Sequence, residues 1–127
     1  MSREIKFRAW DKVRKEMLQI QKHSFKTNKS IPYGWNIEHE FYDLMQYTGL
    51  KDINGKEIYE GDILEGGYLN PLTGEFISRK YIVEYEEGCF KCKLIGKSPY
   101  GDTWINFIHE KSRVIGNVYE NSNLLEE

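Results

Sequence analysis

Asn54-Gly55, with Leu50 and Ile53 before it and Ile58 and Tyr59 after it, constrains this chain more than any other feature. Such a pair between apolar residues is the strongest short hairpin signal. A type I′ turn needs positive φ at both central residues, and Asn and Gly tolerate that best. The spacing predicts two antiparallel strands joined by a type I′ turn. The same stretch is rich in acidic residues, yet it does not suit a calcium loop, which wants ligands at alternate positions, a Gly sixth and a Glu twelfth. Gly55 is the fourth residue counted from Asp52. Asp52, Glu57, Glu60 and Asp62 therefore read as solvated turn carboxylates.

Similar punctuation recurs along the chain. In "EIKFRAW", residues 4–10, Ile5, Phe7 and Ala9 alternate with Lys6, Arg8 and Trp10, the period-two pattern of a half-buried strand. "DKVRKE" turns the chain and "MLQI" returns as a second strand. Residues 21–35 are polar, basic and broken by Pro32 and Gly34, which predicts a long loop. "NIEHEFYDLMQY" predicts a short helical or irregular lead-in and then a strand over Leu44 to Tyr47. Gly61-Asp62 predicts a tight bend feeding a strand from Ile63, and "EGGYLNPLTGE" a Gly-rich loop.

In "YIVEYEEGCFKCKLI", Tyr81, Val83 and Tyr85 share one strand face and Phe90, Cys92 and Leu94 share a face on the return. Gly88 supplies positive φ to the turn between them. "GDTWINFIHE" alternates as a further strand, "SRVIGNVYE" as the last one, and "NSNLLEE" suits one helical turn capped by Asn121 or Ser122. Short strands at turn-marked intervals predict a mainly β fold: a small antiparallel barrel- or sandwich-like single domain over 1–127 with one or two short helical turns. A chain of 127 residues with 39% hydrophobic content can bury such a core without disulfides or a metal.

Several chemistries lack their residues. Cys89 and Cys92 have Cys-x-x-Cys spacing, but residues three apart on a strand point to opposite faces, so Cys92 is expected in the core and Cys89 outside it. His23, His39 and His109 are scattered, with no neighbour at zinc-ligand spacing. No nucleophile elbow, His-Glu-x-x-His helix, dinucleotide fingerprint or phosphate-binding loop is present. No catalytic residue, cofactor or metal is expected, and the protein reads as a non-enzyme. No apolar run approaches the roughly 18 to 20 residues of a membrane helix, and "MSREIKFRAW" lacks the h-region of a signal peptide. The expected location is the cytoplasm, with both cysteines as free thiols.

Charge is the feature with most functional promise. Residues 1–30 hold nine of the 18 basic residues and only Glu4, Asp11 and Glu16 against them, so this arm is about +6 in a chain of net −2. Arg8, Trp10, Lys12, Arg14 and Lys15 form the candidate binding surface, since cations beside rings are the ingredients of single-strand recognition on small barrels. The opposite poles could instead bring the arm of one copy to the body of another, or be cancelled within the fold. Asn54, Gly55, Gly61, Asp62 and Gly88 are read as structural turn residues.

The blocks "REIKFRAWDK", "LMQYTGLKDINGKEIYEGDIL", "VEYEEGCF" and "VIGNVYENSNLL" run in one order along nearly the whole chain. In them the chain resembles the YopX family of small phage and prophage proteins. Ser122-Asn123 stands where that family more often carries Pro-Glu. The resemblance implies a cytoplasmic, β-rich, self-associating protein of phage or prophage origin, with no activity and no catalytic residues to carry over. The leading expectation is an accessory module that self-assembles as a homo-oligomer or docks on a phage or host protein. Nucleic-acid binding through the basic arm is the second.

Overall fold

The turn signals do most of the work in arranging the strands. In the structure, a computed structural model that describes residues 5–20, 41–96 and 102–125, the chain is mainly antiparallel strand with one short helix. It divides into two compact units, Met1–Gly49 and Leu50–Glu127.

In the first unit, β1 (Phe7–Asp11) pairs antiparallel with both β2 (Glu16–Ile20) and β3 (Tyr42–Lys51). Asp11 makes the β1–β2 turn: its Oδ1 accepts from Val13 N–H (2.9 Å) and Arg14 N–H (3.0 Å). Lys15 closes that turn with φ +58°. Ala9 is fully buried against Phe7, Leu18 and Tyr42. β1 is not the half-buried strand that its alternation predicts, because Arg8, Trp10 and Asp11 are buried as well. A strand paired on both sides has no free edge, and here neither face is left to solvent.

β3 is longer than the Leu44–Tyr47 segment expected and continues past the unit boundary, where Gly49 takes φ +87°. β1 thus lies between β2 and β3, and β4 follows at Glu57–Tyr59 in the second unit. The lead-in at 36–40 and the loop at 21–35 lie outside the described residues.

The second unit holds a five-stranded sheet of order β8-β7-β6-β5-β9, with β5 at Asp62–Leu69, β6 at Phe76–Glu86, β7 at Cys89–Leu94, β8 at Thr103–Trp104 and β9 at Arg113–Asn117. Its core is Ile58, Leu64, Tyr81, Val83, Cys92 and Ile105, with Leu50, Phe90, Leu94, Ile108 and Val114 packed around it. The β6–β7 register pairs Tyr81 with Leu94, Val83 with Cys92 and Tyr85 with Phe90, so the two faces read from the sequence are the faces formed.

Two segments depart from expectation. "EGGYL" is not loop but the second half of β5, paired with β6 through Leu69 and Phe76. Its glycines serve close packing: a Cβ on Gly66 would stand 2.5 Å from Ser112 Oγ. "INFI" is not strand but a helical turn, α1 (Ile105–Ile108), followed by a 3-10 turn over His109–Lys111. Ile105 and Ile108 face the core at a spacing of three while Asn106 and Phe107 stay exposed, an ambiguity that short apolar runs always carry. The closing helical turn is present as a 3-10 turn, Ser122–Leu125.

Candidate functional site

Two of the five residues expected at the binding surface of the basic arm are not on it. Arg8 and Trp10, both 8% exposed, are interior residues, so the ring and one cation are withdrawn from any partner. Lys12, Arg14 and Lys15 stay at the β1–β2 turn, where Lys12 Nζ lies 3.3 Å from Asp43 and Arg14 3.9 Å from Glu16. Part of the positive pole is thus balanced within its own unit, at pairs exposed enough to be worth little individually.

The turn residues are where the sequence puts them, though the first turn closes differently. Gly55 has φ +81°, but Asn54 is not among the described residues with positive φ, so the turn is not type I′. Asp52 organises it instead. Its carbonyl accepts from Gly55 N–H (3.0 Å), and its Oδ1 accepts from Asn54 N–H (2.8 Å) and Lys56 N–H (2.9 Å). Its Oδ2 accepts from Val114 N–H (2.8 Å), 62 residues away on β9. Asp52 is therefore no solvated turn carboxylate: it is 7% exposed and fastens β9 to the turn. Burial pushes its pKa up, but the hydrogen bonds from Val114, Lys56 and Asn54, with the Lys56 charge, outweigh burial and hold it below the usual value.

Asp62 departs from expectation in the same way, being buried with Oδ2 accepting from Tyr59 N–H (2.8 Å). Gly61 makes the bend before it with φ +83°. The type I′ conformation occurs instead at Glu87-Gly88, where φ is +50° and +83° between the paired residues Glu86 and Cys89.

Cys92 is buried and its thiol is pushed up to about 12 by burial, while Cys89 is exposed; both are free. Among the described residues, no three His, Cys, Asp or Glu side chains come together where a metal could sit. His109 Nδ1 lies 2.8 Å from the Lys51 carbonyl, within the second unit.

Two features of the second unit remain open to a partner. The first is the far end of the β5–β6 hairpin, where Leu69 and Phe76 are a directly opposed, exposed pair and Leu72, at the tip, is 92% exposed. The tip is built, not slack. Asn70 N–H donates to the Glu75 carbonyl (2.7 Å), Gly74 N–H to the Asn70 carbonyl (2.8 Å), Leu72 N–H to Asn70 Oδ1 (2.9 Å) and Glu75 N–H to Thr73 Oγ1 (3.2 Å).

The second is a cleft of about 200 Å³ on the other face of that hairpin, lined by Gly67, Tyr68, Arg79, Tyr81, Phe107, Ile108, Lys111 and Ser112. The Arg79 guanidinium stands over the Tyr68 ring, 5.1 Å from its centroid. Burial lowers the Arg79 pKa, but hydrogen bonds to the hydroxyls of Tyr81 and Tyr68 outweigh that and raise it, so this cation is permanent. Sequence reading missed the cleft because "GGYL" looked like loop and "INFI" like strand. The available signal was Arg79 and Tyr81 at strand spacing, sharing one face.

A small antiparallel β protein with buried, hydrogen-bonded turn carboxylates and an exposed apolar hairpin end is the class these features define. The sequence model described as "YopX protein" matches residues 6–126, and the chain belongs to that family. The crystal structure of protein EF1440 from Enterococcus faecalis is similar: it is 30% identical, the match covers 98% of this chain and 100% of that one, and the TM-score is 0.60. No curated protein sequence matches. No helix of the described residues is long and apolar enough to cross a membrane.

Proposed function

We propose that this chain is a phage- or prophage-encoded accessory protein that works by binding and not by catalysis, and that it self-assembles through the apolar end of the β5–β6 hairpin. The observation that carries this reading is the conformation of the tip. A turn held by four hydrogen bonds presents Leu72 to solvent beside the Leu69–Phe76 pair. Exposed apolar side chains on a preordered scaffold lose little entropy on association, which is how interface anchors gain affinity. A second copy is the partner because the hairpin end carries the same apolar pair and tip in every protomer, and two-fold contacts join like to like. Family membership supports the phage or prophage origin, and two free thiols suit the reducing cytoplasm of a bacterial host.

The test is absolute mass by light scattering over a concentration series. The reading expects a multiple of the 15.1 kDa chain, and Leu72→Asp with Phe76→Asp should return the mass to that of one chain. A parent protein that stays at one chain's mass would move the hairpin end to a different phage or host protein. An oligomer unaffected by the double variant would place the contact elsewhere.

A further inference from the structure

The cleft on the opposite face of the hairpin has no part in that assembly reading, and its chemistry points to a ligand. Leu64 and Tyr81 pair on the core side of the β5–β6 ladder, and Gly66 with Arg79 and Tyr68 with Ile77 continue the same face outward. Gly66 lets the segment after α1 settle directly on the sheet, so that Ser112 becomes buried and Lys111 and Phe107 come to the cleft beside Arg79. Two cations line it and no carboxylate does. Among the described residues, no ion pair engages Arg79 or Lys111.

Two cations lining one cleft, with no carboxylate among the lining residues, make a phosphate or carboxylate the natural complement. The rings select between these. Phe107 is 68% exposed at the cleft, and Tyr68 already carries the Arg79 guanidinium on its face. An exposed ring in a cleft that two cations also line offers a π-face to a flat group attached to the anion. A cavity of about 200 Å³ is smaller than the roughly 300 to 1,000 Å³ of sites that enclose a whole drug-sized ligand, so it holds one unit of something longer.

We propose that this cleft binds one nucleotide of a single-stranded nucleic acid, its phosphate held by Arg79 and Lys111 and its base laid against Phe107. The site is independent of the basic arm, whose Arg8 and Trp10 are interior.

The experiment is a fluorescence-anisotropy titration of the full chain with a labelled oligothymidylate of about ten nucleotides, a length within single-strand site sizes. Thymidine monophosphate and inorganic phosphate serve as competitors. Phe107→Ala and Lys111→Ala are the variants, both at exposed positions where folding is not at stake. The proposal expects binding that weakens with salt. Phe107→Ala should weaken it about tenfold with the salt slope kept, and Lys111→Ala should reduce the log–log salt slope by about 0.7. Competition by the mononucleotide well below the phosphate concentration needed would show that base and phosphate are read together. No binding at low salt, binding unchanged in both variants, or inorganic phosphate competing as well as the mononucleotide would each overturn it.

Discussion

The turns at residues 52–56 and 70–75 use the same local chemistry for opposite ends. In each, an Asx side chain accepts a backbone N–H two residues on: Asp52 from Asn54, and Asn70 from Leu72. In each, a glycine takes positive φ, +81° at Gly55 and +76° at Gly74. What differs is the second oxygen. Asp52 is a carboxylate whose other oxygen reaches Val114 on β9, so its turn is part of the core framework. Asn70 is an amide whose turn closes on itself and leaves Leu72 in solvent. Local hydrogen bonding orders both turns, and one long-range bond decides which becomes architecture and which stays available to a partner.

The largest way to break that contrast is Asp52→Ala. It strips the acceptor from three backbone N–H groups, one of them on β9, and should cost about 3 kcal/mol, read as a lower urea midpoint. Asn70→Ala should cost about 0.5 kcal/mol by the same readout, because water replaces an exposed acceptor. Similar losses at the two positions would mean that the Val114 bond carries no weight.

Acid sharpens the comparison next. The Asp52 pKa is lowered in the folded state, so its stabilisation is fully present above the unfolded value near 3.9 and is lost as pH falls through the folded value. Asp52→Asn, tested by urea unfolding between pH 7 and pH 3, should be less stable than the parent at neutral pH and should close the gap as pH falls. An unchanged gap would contradict the role given to the charge.

Smaller again is the glycine pair. Gly55→Ala and Gly74→Ala meet no neighbouring atom but keep positive φ, so each should cost about 1 kcal/mol. Gly66→Ala should cost more, because its new methyl would press on Ser112. The smallest stability effect belongs to Leu72→Asp, within about 0.5 kcal/mol, while its effect on mass should be large.

Much of this was readable from the chain. The hairpin positions, the faces of β6 and β7, and the opposed cysteines follow from period-two alternation and from Gly at turns, which are local properties. What escaped the reading was set by distant partners. Nothing near Asn54-Gly55 announces Val114, so the turn was expected to be type I′ with a solvated Asp52. Gly66-Gly67 reads as loop until Ser112 is known to pack on it. "INFI" fits a strand as well as a helix until Ile105 and Ile108 are seen to share the core. Arg8 and Trp10 read as surface because a lone strand has a solvent face, whereas β1 is paired on both sides. Tyr68, Arg79 and Phe107 lie on three elements, and two of those stretches read differently from the sequence: Tyr68 as part of a loop and Phe107 as part of a strand.

The most direct measurement is amide hydrogen exchange followed at two protein concentrations, comparing residues 68–77 with residues 52–56. The account predicts that protection at 68–77 rises with concentration as the hairpin end is covered, while 52–56 is well protected at both. Exchange at 68–77 that ignores concentration, or protection that rises equally in the two turns, would contradict the division between a turn that builds the fold and a turn that meets a partner.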